Sequence, residues 1–133
     1  MKLLTPELEA RLRANLAARI EAAARGQREP DPPPVVRLFS PVGAATWLAT
    51  DIDADGNFFG LADLGLGCPE LGSFALAELE AVRLPFGLSI ERDLHFTASH
   101  PLSAYAEAAR QAGSILLGEQ RLRDPASRPS ERG

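Results

Sequence analysis

Four of the five residues from 30 to 34 are proline: Pro30, Pro32, Pro33 and Pro34, around Asp31. Proline lacks a backbone N–H and has a fixed φ, so this run can neither continue a helix nor sit inside a sheet. It favours an extended, polyproline-like course. Residues 26–34 therefore read as a stiff spacer between an N-terminal segment and the rest of the chain.

The N-terminal segment has a helical pattern. Thr5 can cap, Pro6 suits the first helical position, and Leu4, Leu8, Leu12, Leu16 and Ile20 recur every four residues as one apolar stripe. Ala17 and Ala24 widen the stripe, while Arg11, Arg13, Arg19 and Glu21 are left for the wet face. A helix is predicted over residues 6–24, ending before Gly26 and packing its stripe on a sheet.

Past the spacer the pattern turns to strands. Residues 35–97 form the sheet region, opening with Val35–Phe39 and Ala45–Thr50. Asp53-Ala54-Asp55-Gly56-Asn57 supplies hairpin-turn chemistry, and Phe58–Leu64 is the returning strand. Short strands are predicted at Ser73–Leu76 and Leu94–Thr97, with a short helix between them at Ala77–Val82. A further helix covers residues 101–112, with Leu102, Tyr105, Ala106 and Ala109 on one face. Trp47, Phe58, Phe59, Phe74, Phe86 and Phe96 are expected in the core.

The fold expected is α+β: an antiparallel sheet of about four or five strands, with the N-terminal helix and a second helix packed on it in two layers. A chain of 133 residues supports one such core without staples. The domain is expected to span residues 1–118, leaving 119–133 as a polar tail.

Charge is distributed unevenly. Residues 1–29 carry a net +2, residues 30–82 a net −7, and the remainder a net +1, for −4 overall. Arg37 is the one cation in the acidic block, against Asp31, Asp51, Asp53, Asp55, Asp63, Glu70, Glu78 and Glu80. That disfavours an extended cationic face for nucleic acid or membrane. A local stripe of Arg11, Arg13, Arg19, Arg25 and Arg28 keeps nucleic-acid binding as an alternative. Cys68 is the single cysteine, which excludes an intrachain disulfide or a cysteine-rich zinc site. It reads as a small hydrophobe rather than a nucleophile, and a cytoplasmic setting is expected. The apolar stretch at Leu3-Leu4 is too short for a signal-peptide core, and no run is long enough to span a membrane.

Several clusters carry candidate chemistry. Asp51, Asp53 and Asp55 before Gly56 resemble the front of a calcium loop. The match fails further on, where Phe59 and Ala62 stand at positions nine and twelve. No metal and no cofactor are expected. Asp63 and Glu70, flanking Gly65 and Gly67, suit either acid–base work or capping of loop amides. Gly65-Leu66-Gly67 lacks the remainder of a nucleotide-binding pattern. Glu91-Arg92-Asp93 and His95 bring ionisable groups beside a strand, with Arg92 able to fork to either acid. The catalytic candidates are thus Asp63, Glu70, Glu91, Asp93 and His95, and the binding candidates are Asp51, Asp53, Asp55, Glu70 and Arg92.

Val35–Phe39, Gly43–Leu48 and Phe59–Gly67, followed by Pro69–Gly72, Glu78-Leu79 and Pro85-Phe86-Gly87-Leu88 through Glu91-Arg92-Asp93, resemble one bacterial family. It is the family catalogued as domain of unknown function 2958, and the likeness runs from the first helix to about Arg110. The resemblance implies a small protein frequent on plasmids and conjugative elements, with an accessory role in transfer, maintenance or counter-defence. It implies no catalytic residue, and the family often has an apolar residue where this chain has Cys68. The expected function is a non-enzymatic binding protein whose acidic surface engages a basic protein partner. The alternatives are a metal-dependent hydrolase built on the clustered carboxylates and His95, and the nucleic-acid binder above.

Overall fold

The computed structural model describes residues 2–124. In chain order these form α1 (Pro6–Ala24), β1 (Val36–Phe39), β2 (Thr46–Ile52), β3 (Asn57–Asp63), β4 (Glu70–Ala75), α2 (Leu76–Ala81), β5 (Glu91–Arg92), α3 (Leu102–Ala112) and α4 (Ile115–Arg123). The strands lie in the order β4-β3-β2-β1-β5, each antiparallel to its neighbours.

The α+β class, the antiparallel sheet and its packed helices match the expectation; the layer count does not. A two-layer domain leaves one sheet face wet, yet all seven residues of β2 are buried. Both faces must then be covered. Leu12 of α1 packs with Leu38, Trp47, Ala49 and Phe58 on one side. On the other side, Leu48 and Leu61 meet Leu102, Tyr105 and Ala109 of α3 and Ile115 of α4. The result is three layers, with helices on opposite faces.

The residues of α1 explain its limits. Thr5 Oγ1 accepts from the Leu8 amide at 3.2 Å, and Pro6 fills the first turn, where its missing N–H is not needed. Its stripe grips the sheet only through its first half: Leu4 and Leu12 are buried, whereas Ile20 is 59% exposed. The second half holds by buried Ala22 and by polar contacts. β1 reaches β2 only as far as Ala49, and Asn15 Nδ2 donates to the Thr50 carbonyl beyond that point at 2.8 Å. Arg19, expected on the wet face, turns onto Asp51 with two hydrogen bonds of 3.0 and 3.2 Å.

A bulge between Ala49 and Asp51 shifts the register of β2 against β3. Strict alternation would put Asp51 beside Trp47 and Ala49; the extra residue brings Ile52 there instead. Asp51 lands on the face of Phe59, whose ring Arg19 covers at 5.0 Å. Gly60 sits opposite Ala49, where a Cβ would lie 1.9 Å from the Leu48 carbonyl oxygen, so no larger residue fits this strand crossing.

Four further expectations are corrected. The fourth strand begins at Glu70 rather than Ser73. The last strand is Glu91–Arg92, because the chain leaves the sheet after Asp93. Its amide donates to the Arg37 carbonyl at 2.9 Å, while its carboxylate accepts from the His95 amide at 3.0 Å and turns Leu94–Thr97 away. Phe86 is 92% exposed, at φ +64° in a tight turn. Finally, Gly118 does not end the domain. It lies inside α4, where a Cβ would stand 2.6 Å from the Ala109 backbone nitrogen, so glycine permits α3 and α4 to touch. Residues 119–123 are helical, and the tail expected over 119–133 lies, from residue 125 on, outside the described residues.

The segment preceding α1 is clamped from two distant places. Glu80 accepts from the Leu3 amide at 2.8 Å, and Arg92 Nε donates to the Leu3 carbonyl at 2.8 Å.

Candidate functional site

The five catalytic candidates are scattered by the topology. Glu70 lies on β4 and Glu91 on β5, the two opposite edges of the sheet. Asp63, at the end of β3, is 1% exposed and serves as a backbone cap. Its two oxygens accept from the amides of Gly65 and Ile115, both at 2.8 Å, tying β3 to the start of α4. Asp93 and His95 do come together, on the wall of a cavity of about 530 Å³. Among the described residues, no group of three or more His, Cys, Asp or Glu is placed to hold a metal ion.

The floor of that cavity is a charge cluster formed from β1, the β5 exit and α4. Arg37 Nε and Nη2 reach the Glu119 carboxylate at 2.7 and 3.0 Å, and Nη1 stands 3.7 Å from Asp93. The guanidinium also lies 5.7 Å from the centre of the Phe39 ring. Beside it the Tyr105 hydroxyl accepts from the Ser99 amide at 3.0 Å, and Ser99 Oγ is 2.6 Å from His100 Nδ1. Arg37 has both faces of its fork engaged by carboxylates, so it is a structural cation rather than one held ready for an anionic ligand. Sequence reasoning missed Arg37, Glu119 and Tyr105 here. The available signal was Arg37 itself, a lone cation within an acidic block.

The binding candidates also divide. Asp51 is buried against Arg19. Asp53 closes its own turn, accepting from the amides of Asp55 and Asn57, each at 2.9 Å. The Asn57 amide holds the Asp53 carboxyl below its ordinary value. Arg92 is committed to Leu3. Asp55 and Glu70 remain exposed, and so does Glu78, one turn beyond β4 in α2. On α1 and just past its end, Arg13 pairs with Glu9 and Arg25 with Glu21, which leaves Arg11 and Arg28 exposed without those partners.

Those three free carboxylates frame one strand. Glu70 begins β4, Glu78 follows its end, and Asp55 stands in the turn that meets that end, where Gly56 accepts from the Leu76 amide and Asn57 pairs with Ala75. β4 pairs with β3 on one side, and among the described residues no strand lies on the other. Its outer backbone groups are therefore a pairing template. Exposed apolar side chains accompany it: Leu71 on the strand, with Leu64 and Leu66 on the preceding loop. Between Leu71 and α3 runs a groove of about 280 Å³.

Fold and edge together define an antiparallel sheet module, sealed on both faces and open along β4. The chain belongs to the family described as protein of unknown function (DUF2958), whose model matches residues 3–116. No curated protein and no solved structure matches it. Among the described residues, no helix is long and apolar enough to cross a membrane.

Proposed function

We propose that this chain is a non-enzymatic protein-binding module that takes an extended, basic segment of a partner protein along β4. The observation that carries the proposal is the outer edge of β4, six residues long and, among the described residues, unpaired on one side, with Glu70, Glu78 and Asp55 at its two ends. Adding a strand satisfies its backbone groups, and main-chain hydrogen bonds supply affinity without much demand on the partner's sequence. The carboxylates select charge: they favour Lys or Arg flanking the added strand and disfavour a second acidic copy of the chain. A bacterial, cytoplasmic accessory role on a mobile genetic element, as the family resemblance implies, belongs to the same proposal.

The test uses a capped ten-residue peptide of alternating Lys and Val, with an alternating Glu and Val peptide as control. Saturable binding of the basic peptide, weakened by salt, should slow hydrogen exchange at the outward-facing β4 amides of Leu71, Ser73 and Ala75. Reversing Glu70 and Glu78 to Lys should weaken it. No saturable binding and unchanged β4 exchange would overturn the proposal, as would light scattering that shows a dimer already occupying this edge.

A further inference from the structure

We infer that the groove beside Leu71 is a specificity pocket for one apolar side chain of the added strand, an inference that presupposes the edge docking proposed above. Leu71 pairs with Leu61 across β4 and β3, so both point to the α3 face of the sheet. Leu61 is buried beneath α3, whereas Leu71 is 51% exposed at the rim. The apolar floor thus continues outward past the last strand and ends unfilled.

The other wall belongs to α3. Ser103, Ala106, Glu107 and Arg110 share one helical face by their spacing, and this face lines the groove opposite Pro69 and Leu71. Ala106 stands at its middle and is too small to fill it. Arg110 and Glu107 pair with each other at the rim. Their charges are thereby neutralised, and the space between is left for an uncharged group. A sixth strand would lie about 4.8 Å beyond β4. Every second side chain of that strand would point to the α3 face, and the one opposite Leu71 would enter the groove. Its walls of Leu, Pro and Ala suit a branched aliphatic side chain of Leu or Ile size. The partner segment is therefore read as basic at its ends and carrying one large aliphatic residue at the position facing Leu71.

Two capped peptides decide this, identical alternating Lys/Val sequences with Leu or with Ala at the central position. The Leu peptide should bind about tenfold tighter, the worth of burying the extra carbons. Replacing Ala106→Leu fills the groove and should abolish that preference while the Ala peptide still slows exchange at β4. Leu71→Ser, at an exposed position, should reduce the preference independently should A106L not fold. Equal affinity of the two peptides, with β4 amides protected by both, would overturn the pocket and leave the edge proposal standing. Absence of β4 protection by either would overturn both.

Discussion

Arg37 and Glu119, 82 residues apart, close a two-pronged ion pair across the sheet–α4 junction, their side chains only 13% and 5% exposed. Removing one partner of a buried pair strands the other, at about 3–5 kcal/mol in a sealed site. Asp93 still stands 3.7 Å from Arg37 and softens the loss. Glu119→Ala should therefore destabilise by about 2–3 kcal/mol, read from urea denaturation. A chain ending at Gly118 loses the same carboxylate and should unfold more readily than one ending at Asp124. Equal stabilities of those two chains would sink this account of α4.

Asp63 offers a second test, because a cap and a catalytic acid respond differently to substitution. Asp63→Ala leaves two amides without acceptors. Gly65 is exposed and recovers water, while Ile115 is buried and does not. The expected loss is about 2 kcal/mol, dominated by Ile115. Asp63→Asn keeps one acceptor and should lose less, and thermal denaturation ranks the three chains.

At Gly118 two effects oppose each other. Helix propensity alone makes alanine better by about 1 kcal/mol. The new Cβ would meet the Ala109 nitrogen at 2.6 Å and its Cα at 2.8 Å, and backbone atoms yield little. Overpacking of this kind costs about 1–3 kcal/mol, so Gly118→Ala should lower the urea midpoint. A raised midpoint would show that α3 and α4 have room between them.

The Asp53 turn should respond to acid. Its carboxyl is held below the ordinary value chiefly by the Asn57 amide, so the folded state favours the charged form. Stabilisation of this sign is present above the unfolded value and lost as pH falls through the folded one. Asp53→Ala should melt earlier than the native chain at neutral pH, and the gap should begin to close below about pH 4. A gap that stays constant down to pH 2 would contradict the assignment.

How much was legible in the sequence follows the range of the interactions. The bounds of α1 are local events: Thr5, Pro6 and Gly26 sit where a helix must start and stop, and prediction and structure agree on residues 6–24. The β2–β3 hairpin is equally local, set by Asp53 through Asn57. The layer count could be read from Thr46-Trp47-Leu48-Ala49-Thr50, a run with no charged residue to face water, but only by taking that run as a strand buried on both sides. Gly118 misled because a glycine that ends a helix and one that lets two helices touch look alike in a sequence. The candidate site was least legible. Nothing near Glu70 in the chain says that β4 is an outer strand; that depends on β5 closing the far side, beside β1.

The double hold on Leu3 has a consequence for the order of assembly during translation. Both groups that grip it, Glu80 and Arg92, are made long after α1 has emerged from the ribosome. Until they arrive the nascent helix has no anchor for its leading end, and an isolated helix of this length is only marginally stable in water. The body of α1 can settle on β1 and β2 through Leu12, Asn15 and Arg19 as soon as residue 52 is made, whereas its leading end gains its two polar anchors only about forty residues later.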